Sequence, residues 1–200
     1  MPMNTASQLC QFCIDDYAGR LPALVPSLNI NGASATFTSF GADVVLVVRG
    51  TDELSDWKLY NLTLDRAQAP GDSGLFYHAG FLRYSQLIYG YARAWTLAGK
   101  PLAMMVGHSL GAAAIQIAGP ALGIRAIGFA APRVIYGSAS PKLACLVELY
   151  CALDDSVCSL PPFARHVVVP TWLHHPGPQP RDALVAHHPS NYAALLEQST

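Results

Sequence analysis

Apolar residues form short continuous runs and longer runs with helical spacing, and the short runs predict the strands of a sheet. The clearest is VVLVV at residues 44–48, a β-branched run typical of a strand covered on both faces. Residues 35–40 (ATFTSF) alternate in polarity and predict a half-exposed strand. Further strands are predicted over residues 102–106, 126–130, 146–151 and 167–169.

Helical spacing appears between these runs. Helices are predicted over residues 8–17, 82–98 and 112–117, with a closing helix from Pro189. Strands that alternate with helices of this length are typical of an α/β fold, with a mostly parallel central sheet and helices on both faces. Proline and glycine cluster at residues 161–162 and 176–180, which predicts surface loops. No repeat or charge block divides residues 1–200, which we interpret as a single domain.

The chain is unusually apolar, and this raises the question of a membrane segment. It is 52% hydrophobic and 12% charged, about half of the usual charged share. Residues 101–124 carry no Asp, Glu, Lys or Arg and are long enough to span a bilayer, but they include His108, Gln116 and Pro120. We therefore expect a buried strand and helix there. The net charge of −1 without a basic run argues against a nucleic-acid partner.

The cysteines predict free thiols. There are five of them, and no secretory signal is apparent, which favours reduced thiols and a cytoplasmic location. Cys10 and Cys13 lie three residues apart on a predicted helix and are interpreted as core packing, not as a redox or metal pair. No cluster of side chains resembles an obligatory metal site, so we expect no metal and no cofactor.

The most informative motif is Gly107-His108-Ser109-Leu110-Gly111, which fits G-x-S-x-G between a predicted strand and a predicted helix. A sharp strand-to-helix turn forces the serine into a strained conformation and requires glycine on both sides. The pattern predicts an exposed nucleophilic Ser109 at a helix N-terminus, where developing negative charge is favoured. The alternative is a glycine-rich turn with a capping serine.

A serine nucleophile needs a histidine base and an orienting carboxylate, which in this architecture follow it in the order acid, then histidine. Asp154 and Asp155 come directly after a predicted strand, where an open α/β sheet delivers its site residues. His187 and His188 come directly before the closing helix. With His188 as the cap of that helix, His187 would be the last loop residue and could point into a site. The residues alone do not decide which of the two aspartates is the acid or which of the two histidines is the base.

Five segments occur in order along the chain: VRGTD at 48–52 with Asp56-Trp57, HAGF at 78–81, GHSLGA at 107–112, FAAPR at 129–133, and LDDSV at 153–157 with LPP at 160–162. Together they resemble the class 3 lipases, a family of fungal triacylglycerol lipases with bacterial and plant relatives. The resemblance spans most of the chain and implies an α/β-hydrolase fold. Cys158 stands where the family usually has proline, and we expect that departure to matter little.

The resemblance implies roles for particular residues. Asp155 rather than Asp154 becomes the catalytic acid. The family's histidine is often followed five residues later by an aromatic residue, and the spacing from His187 to Tyr192 favours His187 over His188 as the base.

The resemblance also implies an oxyanion hole and a possible lid. The backbone N–H groups of Thr51 and Leu110 would bind the oxyanion. Residues 52–64 would hold any lid, and its register is left open because the spacing from Asp56-Trp57 to Asn61 departs from the family pattern. A surface helix packed on the core is the alternative for this segment.

These observations predict a serine hydrolase acting on carboxylic esters of lipids through an acyl-enzyme on Ser109. The expected partner is a lipid or small-molecule ester, with a lipid–water interface as a candidate place of encounter. A phospholipase, an acyltransferase and a non-catalytic hydrolase-like binding protein are the alternatives. Acyl chain length, head group and oligomeric state are left open.

Overall fold

A computed structural model describes residues 5–30, 32–50, 65–69, 74–176 and 182–198. Its strands are β1 (Leu28–Ile30), β2 (Ala33–Phe40), β3 (Asp43–Val48), β4 (Arg66–Ala67), β5 (Phe76–His78), β6 (Met104–His108), β7 (Arg125–Phe129), β8 (Ile135–Tyr136), β9 (Val147–Ala152), β10 (Ala164–Arg165) and β11 (Thr171–Leu173). Its helices are α1 (Thr5–Tyr17), α2 (Ala79–Leu97), α3 (Leu110–Leu122), α4 (Ala183–His187) and α5 (Pro189–Gln198), with short 3-10 turns at Ala144–Leu146 and Ser156–Ser159.

The main sheet is mostly parallel, as predicted. Its spatial order is β1-β2-β3-β6-β7-β9-β11, and each neighbouring pair from β3 to β11 is parallel, whereas β1 and β2 are antiparallel additions at one edge. A small antiparallel sheet has the order β10-β8-β5-β4. Because β6, β7 and β9 run in the same direction, their carboxyl ends deliver the following loops to one edge of the sheet.

Helices cover both faces of the main sheet. Successive residues of a strand point to opposite sides, so a buried apolar strand packs against a helical layer on each face. In β3, Leu46 and Val48 belong to the cluster that includes α2 and α3, whereas Val45 and Val47 belong to the cluster that includes α1 and α5. All four are fully buried. Burying an aliphatic side chain of this size contributes about 1.5–3 kcal/mol, so a continuous apolar strand stabilises both layers.

Two strand predictions need correction. Strand β2 is mostly buried, not half exposed, because it lies between β1 and β3 and because Phe37 stacks on Trp95 of α2 with ring centroids 4.2 Å apart. The strand predicted over residues 167–169 is wrong: Val169 is 89% exposed, and the ladder with β9 begins at Thr171. Proline at 170 lacks an N–H and restricts the residue before it, so pairing starts only after it.

The cysteines agree with the prediction of free thiols. All five are unpaired, and Cys10 and Cys13 are buried in the cluster between α1 and α5. The Cys10 Sγ donates to the Pro189 carbonyl oxygen at 3.3 Å, so this residue joins the opening helix to the closing one. Among the described helices, none combines the length and the apolar character that a membrane crossing requires.

Candidate active site

The turn from β6 into α3 holds Ser109 in a strained backbone conformation. Its φ of 57° and ψ of −124° lie outside the regions that non-glycine residues ordinarily occupy. The Ser109 N–H donates to the Phe129 carbonyl oxygen at 3.0 Å, which ties the turn to strand β7. Strain that the surrounding structure maintains in this way is typical of functional sites. The strained turn predicted from the G-x-S-x-G pattern is confirmed.

The side chain of Ser109 is enclosed, so the expectation of an exposed hydroxyl is wrong. Only 2% of the surface of this residue is exposed. Its Oγ lies 2.8 Å from Nε2 of His187. On another side, a Cβ built on Gly50 would lie 2.9 Å from the Cβ of Ser109, so the backbone at Gly50 packs against it. These neighbours account for the burial of the Ser109 side chain.

The flanking glycines allow helix α3 to pack directly on the strands. A Cβ added at Gly107 would lie 2.6 Å from the carbonyl carbon of Gly111. A Cβ added at Gly111 would lie 2.7 Å from the carbonyl carbon of Val48. Both collisions are with backbone atoms, which cannot rotate aside. The two glycines are therefore required by the close approach of β3, β6 and α3 around Ser109.

Replacing Gly111 with alanine is expected to lower the free energy of unfolding by about 2–4 kcal/mol, because the new methyl group overlaps the backbone of β3. Gly90 is a matched control: it lies on the exposed face of α2 with nothing within 4 Å of a built Cβ. Gly90→Ala should stabilise the protein by about 0.5–1 kcal/mol. Urea unfolding followed by circular dichroism measures both variants. Effects of the same sign and size would contradict this account of the turn.

Helix α4 places His187 between Ser109 and an acid. The Nδ1 of His187 lies 2.8 Å from Oδ2 of Asp155, opposite the contact of Nε2 with Ser109 Oγ. The prediction that His187 would be a loop residue is wrong. Asp182 caps α4 by accepting from the Leu184 N–H at 2.8 Å, and the helix continues to His187 as its last residue.

His188 is exposed and its ring contacts Ser190. Its Nδ1 accepts from the Ser190 N–H at 3.2 Å and lies 2.7 Å from Ser190 Oγ. This places His188 at the start of α5 as a capping residue, with Pro189 in the first helical position, as predicted. Of the two neighbouring histidines, His187 is the one that the structure brings to Ser109.

Asp155 is buried at the start of the 3-10 turn Ser156–Ser159, and 2% of its surface is exposed. Its Oδ1 accepts from the Val157 N–H at 3.0 Å, and its Oδ2 accepts from the Tyr192 hydroxyl at 2.7 Å. Burial acts to raise the pKa of this carboxyl, but the hydrogen bond and charge of His187, with the donors Tyr192 and Val157, lower it overall. Asp155 is therefore ionised at neutral pH. The Nδ1 of His187 must then be the donor to it.

Tyr192 orients this carboxylate. Its hydroxyl also accepts from the Ala152 N–H at 3.0 Å, at the end of β9. Burial raises the pKa of Tyr192 well above its usual value, so the hydroxyl stays a neutral donor. Cys158 lies against the same pair, with its Sγ 3.3 Å from the Tyr192 hydroxyl and 3.7 Å from Oδ2 of Asp155. The cysteine that departs from the class 3 lipase pattern is thus in direct contact with the Asp155 carboxylate.

One of the two expected oxyanion donors can be located. Leu110 is the first residue of α3, and the first N–H groups of a helix have no partner within it, so they favour an anion. Thr51 lies outside the described residues. The residue two positions before it is anchored: Arg49 Nε donates to the Asp16 carboxylate at 2.7 Å, and the Arg49 carbonyl accepts from the Tyr84 hydroxyl at 2.6 Å.

The lid predicted over residues 52–64 also lies outside the described residues. Across the ranges that the structure describes, no group of three or more His, Cys, Asp or Glu side chains is placed to hold a metal ion.

His108, the second residue of the motif, is buried beside the ring of His187. Burial, and then the neighbouring His187, lowers the pKa of His108 to about 3. Its ring is therefore neutral at physiological pH. Its Nδ1 lies 3.2 Å from the Tyr17 hydroxyl and its Nε2 lies 2.8 Å from the His187 carbonyl oxygen.

The burial of a neutral His108 predicts acid lability. Below pH about 6.5 the unfolded chain takes up a proton on this ring, whereas the folded protein does so only below about pH 3. The free energy of unfolding should therefore fall as the pH falls through this window, by at most about 1.4 kcal/mol per pH unit from this group. Urea unfolding at pH 4, 5, 6 and 7 measures the slope, and His108→Gln should flatten it. Parallel curves for the two proteins would contradict the assignment.

Sequence reasoning missed three contributors to this site. The sequence motifs assign no role in the site to His108 or Tyr17, and they give Tyr192 only a spacing from His187. The one available signal was the polarity of His108 within residues 101–124, which are otherwise strongly apolar. Which groups it would contact depends on segments far away in the sequence.

Comparison with solved structures places this fold among the lipases of fungi. The chain is similar to the Rhizomucor miehei lipase in its propeptide complex (TM-score 0.60, 18% identity, 84% of this chain and 66% of that chain). It is also similar to lipase II from Rhizopus niveus (TM-score 0.64, 18% identity, 84% and 82%) and to the Lip2 lipase from Yarrowia lipolytica (TM-score 0.68, 15% identity, 87% and 81%). No protein-family model and no curated protein matches the chain.

At these identities the likeness establishes the fold. The chain has the α/β-hydrolase fold of the fungal class 3 lipases, which confirms the fold class expected from the sequence. It spans about two thirds of the length of the Rhizomucor miehei chain.

Proposed function

We propose that this protein is a serine hydrolase that cleaves carboxylic esters of lipids through an acyl-enzyme on Ser109. One observation carries the proposal. The Ser109 Oγ, the two ring nitrogens of His187 and the Asp155 Oδ2 form a continuous line with 2.8 Å at each of its two hydrogen bonds. The fold that the chain shares with lipases supports an ester as the substrate. A nucleophile, a base and an orienting acid are the groups that acyl transfer requires.

The first half of the reaction forms the acyl-enzyme. Because the Nδ1 of His187 donates to ionised Asp155, its Nε2 holds a lone pair that accepts the Ser109 proton as Oγ attacks the ester carbonyl. The His187 imidazolium then gives that proton to the leaving alkoxide as the C–O bond breaks. Asp155 stabilises the imidazolium and fixes its orientation. The alcohol departs and the acyl group stays on Ser109.

The second half returns the enzyme to its starting state. His187 Nε2 takes a proton from a water molecule, whose oxygen attacks the acyl carbon. The bond to Ser109 Oγ breaks, Oγ recovers the proton from His187, and the carboxylic acid is released. Each half passes through a tetrahedral intermediate with negative charge on the former carbonyl oxygen. We assign its stabilisation to the backbone N–H groups of Leu110 and Thr51, each contributing about 3 kcal/mol.

A series of p-nitrophenyl esters from acetate to palmitate, together with triglyceride emulsions, tests the substrate class. We expect hydrolysis of the p-nitrophenyl esters and release of fatty acid from triglycerides, with kcat/KM depending on acyl length. A control with the matching p-nitroanilides should show far slower turnover, because an amine is a poorer leaving group. Folded protein that hydrolyses none of the esters would overturn the proposal. Transfer of the acyl group to an added alcohol in preference to water would instead indicate an acyltransferase.

A further inference from the structure

We propose that His108 is a positioning residue that holds the backbone of His187 and the residue before Thr51 in register with Ser109. The inference rests on the proposed function and adds a second line of hydrogen bonds to it. His108 does not contact the reacting atoms, because its two ring nitrogens are engaged elsewhere. His108 contacts the main chain at His187 directly, and it contacts the main chain at Gly50 through Tyr17.

The first contact is with the base. The Nε2 of His108 lies 2.8 Å from the carbonyl oxygen of His187. A carbonyl oxygen only accepts, so Nε2 carries the ring proton of His108 and donates it. The two imidazole rings lie with centroids 4.9 Å apart. His108 directly precedes Ser109 in the sequence. It therefore fixes the main-chain carbonyl of His187, whose ring must reach Ser109.

The second contact runs to the segment that leads to Thr51. With the proton on Nε2, the Nδ1 of His108 is an acceptor, and the Tyr17 hydroxyl donates to it at 3.2 Å. The same hydroxyl accepts from the Gly50 N–H at 3.0 Å. The ring of Tyr17 stands edge-on to His108, with centroids 5.6 Å apart and an interplanar angle of 85°. One directed chain thus runs from Gly50 through Tyr17 and His108 to His187.

This series of hydrogen bonds connects segments that are far apart in the sequence. It joins the end of α1, the residues that follow β3, the end of β6 and the end of α4. His108 is 3% exposed, so the hydrogen bonds lie in surroundings where water competes little. Displacements of about 1 Å between nucleophile and base can cost about 10²-fold in rate. A group that fixes the main chain of His187 relative to Ser109 is therefore expected to act on kcat.

Two substitutions of His108 separate its two contacts. A glutamine amide can reach the position of Nε2 and donate to the His187 carbonyl. An asparagine side chain is shorter: it can stand in for Nδ1 opposite Tyr17 but does not reach His187. We expect His108→Asn to lower kcat for a p-nitrophenyl ester about 10- to 100-fold with KM changed by less than about threefold. His108→Gln keeps the donor to His187 but loses the acceptor for Tyr17, so its kcat should fall less than in His108→Asn, by about three- to tenfold.

Tyr17→Phe is the independent variant, because it removes the hydroxyl that links His108 to Gly50 and leaves His108 in place. We expect about a 10-fold lower kcat with KM little changed. Active sites are counted by the end-point of labelling with a fluorophosphonate, and kcat is expressed per labelled site. The labelling rate then reports the reactivity of Ser109. A merely structural role would lower the number of sites or the melting temperature and leave kcat per site unchanged.

The outcomes distinguish this inference from the proposed function. If the wild type is labelled at Ser109, while His108→Asn and Tyr17→Phe keep wild-type kcat per site and wild-type labelling rates, the positioning role is wrong and the function stands. Equal kcat losses in His108→Asn and His108→Gln would also overturn it. If His108→Asn does not fold, the kcat of Tyr17→Phe decides. Failure of the wild type to be labelled at all would count against the proposed function itself.

Discussion

Replacement of Ser109 with alanine is expected to lower kcat for p-nitrophenyl esters by about 10⁵- to 10⁶-fold. The Oγ is the only atom of this residue that can form an ester bond, and it lies 2.8 Å from Nε2 of His187, the proposed base. Removing it leaves at most the residual acceleration from substrate binding and the oxyanion donors. The measurement is initial rate against substrate concentration, with protein free of any host esterase.

The fold should survive this substitution. Alanine carries the same Cβ at the same strained φ of 57°, and the backbone bond from position 109 to the Phe129 carbonyl remains. The melting temperature therefore serves as the control, with a change of no more than a few degrees expected, since about 1 kcal/mol shifts it by roughly that amount. Turnover near the wild-type level in a folded Ser109→Ala protein would remove the proposed nucleophile.

The second large effect is expected from alanine replacements of the two neighbouring histidines. His187→Ala should lower kcat by about 10⁵- to 10⁶-fold, because His187 is the base within hydrogen-bonding distance of Ser109 among the residues that the structure describes. It also leaves the buried Asp155 with its remaining donors, Tyr192, Val157 and the Cys158 thiol. Some loss of stability is therefore expected, and kcat should be expressed per folded molecule from circular dichroism.

His188→Ala is the matched control, because the two histidines are adjacent in sequence and differ in what they contact. His188 is exposed and caps α5 through Ser190. Its loss should cost about 1 kcal/mol of stability, as for other helix caps, and leave kcat within about twofold. The reverse pattern, with activity lost in His188→Ala and retained in His187→Ala, would show that the base has been assigned to the wrong ring.

The parts of the fold that local pattern decides were predictable. The run at 44–48 became strand β3 because apolar residues on both faces need cover from two helical layers. The glycines at 107 and 111 predicted the strained turn, since the close approach that requires them is built into the motif. Pro189 predicted the start of α5. In each case the local structure is determined by a few residues that are adjacent in the sequence.

The parts that depend on long-range contact were not predictable. The residues alone did not decide whether Asp154 or Asp155 is the acid of the site. In the structure Asp155 is hydrogen-bonded to Nδ1 of His187 and to the Tyr192 hydroxyl. Helix α4 was missed because five residues give too little periodicity to recognise. The hydrogen bond from His108 to the His187 carbonyl spans 79 positions of sequence. No local pattern predicts which buried polar group such a ring will meet.

The most direct test of the central claim is mass spectrometry of the intact protein after reaction with a fluorophosphonate, followed by peptide mapping. We predict a single phosphonyl adduct on Ser109 that forms quickly in the wild type and in His188→Ala, and is slowed by orders of magnitude in His187→Ala. That result would locate the activated hydroxyl and its base together. A folded wild-type protein that stays unmodified, or an adduct that maps to another residue, would contradict the claim that His187 and Asp155 make Ser109 a nucleophile.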